Sequence, residues 1–233
     1  RPDVPQLGLD WVSGKSGPGM LPMGPLIVPA AFVADPQDLM ITLKLNGEVI
    51  ALWAELLRRV EGSELVLKDP ETPSGTVRRH LLDGFARHGV PPERIRFLER
   101  APNLAAHLAQ YAEVDIALDP FPYNGTTTTC DALWMGVPVV TLAGAAHPGR
   151  VGVSLLSTVG FPAGIAATPE DYLLTAAQLA ANPTMLLAIR NLLRAEVMAS
   201  PLGDARGLAA AFETALLDLA HEHAAAIPAE AAA

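Results

Sequence analysis

The chain has 233 residues, half of them hydrophobic, with 16 basic against 25 acidic side chains and a net charge of −9. That length holds one large domain, or one domain and an arm, with enough apolar residues for a sizeable core. The acidic balance argues against nonspecific nucleic-acid binding, which needs a basic surface.

A single cysteine, Cys130, excludes a disulfide framework within the chain and fits a reducing compartment, so a cytoplasmic setting is expected. No apolar run reaches the roughly 18 residues of a membrane span, and no secretory signal is visible, so no membrane partner is expected. The first residue is Arg1 rather than Met, which suggests a piece of a longer protein. Lysine occurs only at Lys15, Lys44 and Lys68.

Residues 1–40 form a poorly patterned arm. GKSGPGMLPMGP (14–25) is dense in glycine and proline, and neither helical nor strand periodicity persists around it. Its GKS lacks the glycine six positions before the lysine that a phosphate-binding loop needs; Leu9 stands there. From residue 41 the pattern is regular. Apolar residues at Val49, Ile50, Leu52, Trp53, Leu56 and Leu57 predict a helix, and Glu64 to Lys68 a short buried strand. Thr76 to His88 reads as an amphipathic helix closed by Gly89. A strand over 95–98 and a helix over 104–112 follow.

The pattern then predicts strand 114–118, helix 127–135 and strand 137–142. Beyond these come a helix over 151–159, an edge strand over 165–167, and helices over 169–181, 184–198 and 206–224. A domain over 41–225 and a disordered tail over 226–233 complete the division. Strands alternating with helices of about ten residues predict an α/β fold with a parallel, doubly wound sheet. Ligands of such sheets sit beyond the carboxyl ends of the strands.

The segment from Asp119 to Thr129 leaves one of those strand ends. It carries Asn124, Gly125 and four consecutive threonines, Thr126 to Thr129, at the start of a helix. A helix start has unpaired N–H donors and a positive partial charge, so it can seat phosphate. Gly125 permits close backbone approach, and a threonine at the helix cap would satisfy one orphan N–H while its neighbours offer hydroxyls. One threonine would suffice for a cap; four after Asn-Gly favour a binding role.

Asp131 is placed in the first helical turn, where the helix dipole would stabilise it or a ribose could use it. Asp119 can hold the loop through an Asx turn. Lys44, at a strand end, is either a solvated surface lysine or a counter-charge to a diphosphate. His107, alone on its helix, reads as a structural residue. Arg150, after the strand over 137–142, could face anionic groups, and Cys130 reads as a small buried residue. No histidine, cysteine or carboxylate cluster has metal-ligand spacing, and no G-x-S-x-G nucleophile motif occurs.

LDPFPYNGTTTTCDALWMGVPVVTLAG (118–144), HPGRVGVSLL (147–156) and SPLGD (200–204) together resemble the C-terminal catalytic lobe of the O-linked N-acetylglucosamine transferase family. The similarity is to its bacterial and SPINDLY-like members, and LKLNGEVIALWAELLRRVEGSELVLK (43–68) extends it upstream. The resemblance implies a Rossmann-like, donor-binding lobe of a GT-B glycosyltransferase. It also implies inverting, metal-independent transfer of N-acetylglucosamine from UDP-N-acetylglucosamine to serine or threonine of a protein acceptor. No cofactor is implied.

By resemblance, Lys44 assists leaving-group departure, while His107, Thr126, Thr127, Thr128 and Asp131 bind the donor. Thr127 and Thr128 meet the diphosphate and Asp131 the ribose; Asn124, Gly125 and Arg150 are further candidates. A facing N-terminal lobe and tetratricopeptide repeats are the partners implied in a longer chain. Two departures stand out. The family shows a Phe-Gly-Ser-Phe-Asn strand where this chain reads DPQDLMITL (35–43), and Leu104 stands where animal members carry lysine. A GDP-fucose-dependent O-fucosyltransferase and a noncatalytic interaction module are the alternatives.

Overall fold

The computed structural model describes residues 47–68 and 75–226. The chain divides after Lys44 into two units, and the first, Arg1–Lys44, lies wholly outside the described residues. The sequence expectations for the arm and for Lys44 therefore fall outside what is described, as does the tail over 227–233.

Among the described residues, five short strands alternate with α-helices, eight in all. Helix α1 (Gly47–Arg59) leads to β1 (Leu65–Lys68), and α2 (Thr76–Arg87) to β2 (Ile95–Leu98). Then come α3 (Leu104–Ala109), β3 (Ala117–Leu118), α4 (Thr127–Trp134), β4 (Val139–Leu142), α5 (Val151–Thr158) and β5 (Ile165–Ala166). Three helices finish the chain: α6 (Pro169–Ala181), α7 (Pro183–Ala199) and α8 (Ala205–Ala226). Ala226, expected in the disordered tail, is thus the last residue of α8.

Local chemistry sets these boundaries. Thr168 and Asp171 form a reciprocal capping box at the start of α6, each bond 3.1 Å, with Pro169 in the first turn. Asn182 caps α7 by accepting from Met185 N at 3.0 Å, and Asn103 caps α3 by accepting from Ala106 N at 2.9 Å. Gly89, with φ 77°, follows the end of α2 in the left-handed conformation expected there.

All strand pairs are parallel: β1 with β2, β3 with β4, and β4 with β5. The order is β1–β2 in one sheet and β3–β4–β5 in another. On β4 successive side chains point to opposite layers. Val140 packs with α1 and α6, whereas Val139 packs with α4, α5 and α7. Helices on both faces of parallel strands make the fold Rossmann-like.

The one doubly wound sheet expected from the sequence is instead two sheets, parted between β1 and β3. Among the described residues, β1 pairs only with β2 and β3 only with β4, and a cavity of about 610 Å³ separates the two strands. Residues 64–67 and 114–116 form its walls, and Trp53 of α1 and Ala176 of α6 line it as well. The two halves are tied together beside this gap. Trp53 Nε1 donates to the Tyr172 hydroxyl at 3.1 Å, and that hydroxyl donates to the Asp119 carbonyl at 3.2 Å. Trp53, Tyr172 and the end of β3 thus form one buried chain of hydrogen bonds.

Two elements are three residues shorter than the sequence implies. The helix expected over 104–112 ends at Ala109 and tightens into a 3-10 turn over 110–113. The strand expected over 114–118 pairs only at 117–118. Its first residue, Val114, donates its N–H to Tyr111 and gives its carbonyl to Arg190 of α7 at 2.7 Å, so its polar groups are used outside a ladder.

Candidate functional site

The loop after β3 rests on a buried carboxylate. Asp119 is 3% exposed; its Oδ1 accepts from Gly125 N and its Oδ2 from the Thr141 hydroxyl, both at 2.7 Å. This bond crosses to β4 and reaches six residues along the loop, well beyond the Asx turn expected of Asp119. Burial pushes its carboxyl up to about 6, partly offset by the Thr141 hydroxyl and the Gly125 N–H.

Asn124, fully buried, pins the other side. Its Nδ2 donates to the Pro120 carbonyl at 3.0 Å, its Oδ1 accepts from Gly152 N at 3.3 Å, and its own N–H donates to Pro148 O at 2.9 Å. Asn124 and Gly125 therefore shape the loop from beneath. A Cβ at Gly125 would fall on Thr128 Oγ1 and lie 3.1 Å from Thr129 Oγ1. Close approach, not an unusual φ, requires the glycine.

Above this base, Thr126, Thr127 and Thr128 are exposed at the start of α4, while Thr129 is buried and its hydroxyl donates back to the Gly125 carbonyl at 3.0 Å. Thr126 occupies the cap position, but its side chain makes no capping bond. The expected threonine cap is absent because the backbone at Thr126 (φ −108°, ψ −74°) is not in the extended conformation that a capping side chain uses.

Asp131 also differs from expectation. It is the fifth residue of α4, one turn beyond the helix start, so the dipole is not its main partner. Its carboxylate instead faces His107 of α3, with Oδ2 3.4 Å from Nε2 and both side chains about three-quarters buried. His107, structural by residue type and donor-binding by resemblance, thus lies beside Asp131.

The other ring nitrogen, Nδ1, lies 2.6 Å from the Lys68 ammonium. Tyr111 packs edge-on against the His107 ring, with centroids 5.6 Å apart, and donates its hydroxyl to the Thr128 carbonyl at 3.2 Å. Burial, with a smaller effect of Asp131, pushes the Tyr111 hydroxyl up to about 12, which keeps it a donor at neutral pH. The structure thus gathers Thr126, Thr127, Thr128, Asp131 and His107 around the carboxyl end of β3, with Asn124 and Gly125 beneath.

Arg150 is not brought into this cluster by any described contact. It is exposed and donates to the Gly144 carbonyl at 3.2 Å, bracing the turn after β4. Cys130 is half-buried with its thiol pushed up by burial, as suits an inert packing residue. Leu104 is 67% exposed, an apolar side chain at the start of α3. Lys44 lies outside the described residues.

Four residues of the arrangement escaped the sequence reading: Lys68, Tyr111, Thr141 and Tyr172. The strand-end position of Lys68 was its one available signal, since ligands gather at carboxyl ends. Thr141 was visible only as a polar residue within an apolar strand. The arrangement offers hydroxyls and a helix start to an anionic group, with a carboxylate–imidazole pair alongside to accept and donate hydrogen bonds. No group of three or more histidine, cysteine, aspartate or glutamate side chains among the described residues is spaced to hold a metal ion.

Comparison with known proteins points to one family for most of the chain. Residues 38–212 match the model described as glycosyl transferase family 41. A second model, fumarylacetoacetate (FAA) hydrolase C-terminal, matches residues 2–52 and so covers nearly all of the poorly patterned arm. Lys44 falls in the stretch covered by both models.

Among relatives, a probable UDP-N-acetylglucosamine–peptide N-acetylglucosaminyltransferase SPINDLY of Oryza sativa subsp. japonica is 38% identical over 172 residues, 74% of this chain and 19% of that protein. The SEC counterpart of Arabidopsis thaliana is 34% identical over 163 residues, 69% of this chain and 16% of that protein. The solved structure of a mutant O-GlcNAc transferase from Thermobaculum terrenum superposes with a TM-score of 0.66 at 36% identity, covering 72% of this chain and 32% of that one. The chain therefore spans less than a fifth of the length of these curated relatives.

Proposed function

Because the chain belongs to glycosyl transferase family 41, we propose that it is the donor-binding lobe of a protein O-glycosyltransferase that uses UDP-N-acetylglucosamine. The observation that supports this most is the exposed threonine run at the carboxyl end of β3, braced by Asp119 and Asn124 and flanked by the His107–Asp131 pair. The relatives are named for UDP-N-acetylglucosamine and peptide, which favours that donor over GDP-fucose.

In this reading Thr127 and Thr128 offer hydroxyls and the helix start offers N–H groups to the diphosphate. Asp131 accepts from the ribose hydroxyls, and His107 holds the nucleoside beside it. Each donor aimed at the leaving diphosphate contributes roughly 3–4 kcal/mol when charge builds in the transition state. Lys44 supplies the fixed positive charge on the departing group, so the reading assigns charge neutralisation to the protein rather than to a metal ion. The acceptor is a serine or threonine of a protein, and an N-terminal lobe with tetratricopeptide repeats presents it in the longer protein. The setting is cytoplasmic. Among the described residues, no single helix is long and apolar enough to cross a membrane.

The chain by itself then binds the donor and transfers poorly, since the facing lobe completes the reaction site. Titration of the 233-residue chain with UDP, GDP and uridine tests the reading. UDP should raise the melting temperature more than GDP, and uridine should have little effect. No stabilisation by UDP or GDP at millimolar concentration would contradict it. Lys44 is tested separately by Lys44→Met in a chain joined to its facing lobe: turnover should fall, and UDP should bind more weakly, since UDP is the departing group that the lysine neutralises.

A further inference from the structure

Lys68 is the last residue of β1, at the carboxyl end of its strand. Its ammonium lies 2.6 Å from His107 Nδ1 and 2.9 Å from Gln110 Oε1. Gln110 is held in turn, its amide donating to the Glu99 carbonyl at 2.9 Å. A lysine ammonium has three donors and no acceptor. The contact with Nδ1 therefore requires that nitrogen to be unprotonated, because an N–H there would set donor against donor. A neutral imidazole with a bare Nδ1 carries its proton on Nε2, and Nε2 is the nitrogen facing Asp131 Oδ2. Tyr111, edge-on to the same ring, limits its rotation.

We infer that Lys68 is a positioning residue of the donor site: it fixes His107 in the Nε2–H form, so that the ring donates towards Asp131 and orients that carboxylate for a ribose. The choice of ribose rests on the donor-site reading; the tautomer rests only on the contacts of the ring. Without a donor at position 68 only Asp131 still favours the Nε2–H form, and the Nδ1–H form gains population. In the Nδ1–H form the Nε2 lone pair faces the Asp131 carboxylate, acceptor against acceptor, and the carboxylate loses its partner. Arginine at 68 also only donates and preserves the preference. Methionine keeps the reach and loses the donor.

The test uses the full chain with histidine labelled in its ring nitrogens, read by long-range nitrogen–proton correlation at mildly alkaline pH. His107→Gln identifies the signal. The wild type should show the Nε2–H form, Lys68→Met a mixture of both neutral forms, and Lys68→Arg the wild-type pattern. In parallel, the Kd for UDP should rise on the order of 10-fold in Lys68→Met, the size of one hydrogen bond to a charged group, and stay within about threefold in Lys68→Arg.

An Nδ1–H ring in the wild type, or an unchanged ring in Lys68→Met, overturns the inference. A responding tautomer with unchanged UDP affinity overturns the positioning role. If the tautomer responds but no form of the chain, wild type included, binds UDP, the donor-site reading falls and the hold of Lys68 on His107 stands.

Discussion

The Thr141 hydroxyl donates to the Asp119 carboxylate at 2.7 Å, joining the ends of two neighbouring strands directly beneath the threonine loop. The same carboxylate takes the Gly125 N–H, so one buried charge sets both the sheet edge and the loop start. The start of the threonine loop is mounted on this pair.

The first prediction concerns pH. Burial raises the Asp119 carboxyl from 3.8 to about 6 in the folded chain. A carboxyl raised in the native state binds its proton more tightly there, so its contribution to stability is full below the unfolded value and is lost as pH rises through about 6. Asp119→Asn keeps an acceptor for Gly125 and a partner for Thr141 but does not titrate. Urea unfolding between about pH 4 and about pH 7 should show the variant gaining on the wild type as pH rises, by on the order of 2 kcal/mol. A constant difference across that range contradicts the assignment.

Gly152, at the start of α5, packs against the same pair. A Cβ there would fall on Thr141 Oγ1 and lie 2.5 Å from Asp119 Oδ2, and neither atom is the far end of a flexible chain. Gly152→Ala should destabilise by about 1–3 kcal/mol, the range for overpacking a well-filled interior. Thermal melting measures this. Wild-type stability would mean that the strand ends are looser than the geometry says.

Much of this architecture was legible in the sequence. The apolar spacing of α1 acts within a few residues, and so it is read locally. The caps at Asn103, Thr168 and Asn182 are equally local, but they were not singled out from the sequence. The threonine loop was legible for the same reason, because strand end, turn and helix start are contiguous. Contacts across the fold were not. Lys68 and His107 are 39 residues apart, and nothing in either neighbourhood announces the other. The first-turn placement of Asp131 failed by one residue: the helix begins at Thr127, as the sequence predicts, and Asp131 is its fifth residue. The threonine cap failed on backbone conformation, which residue type does not determine. The division of the sheet beside the cavity depends on which strand edges meet, and periodicity carries no such information.

Tyr172 provides a third test. Its hydroxyl is fully buried, accepts from Trp53 Nε1 and donates to the Asp119 carbonyl. Tyr172→Phe leaves both groups without that partner in the interior, which costs about 1–3 kcal/mol. Denaturant unfolding should show a lower midpoint with an unchanged slope. An unchanged midpoint would mean that the hydroxyl does not link the two halves.

Asp131 and His107 give a fourth. If the pair holds the nucleoside, Asp131→Ala should weaken UDP and uridine monophosphate alike, since both carry the ribose. Calorimetric titration should show losses of on the order of 10-fold for each, the value of a hydrogen bond to a charged group. Loss for UDP alone would place Asp131 at the phosphates instead.

The central claim is that the start of α4 seats the diphosphate. Its most direct test is calorimetric titration of UDP into the full chain and into the double variant Thr127→Ala, Thr128→Ala, with melting temperatures as a check on folding. Neither side chain is buried, so the variant should melt close to the wild type. The account predicts that it binds UDP at least about 10-fold more weakly, the combined effect of two lost hydroxyl donors to a charged ligand. Equal affinity in a folded variant would contradict it.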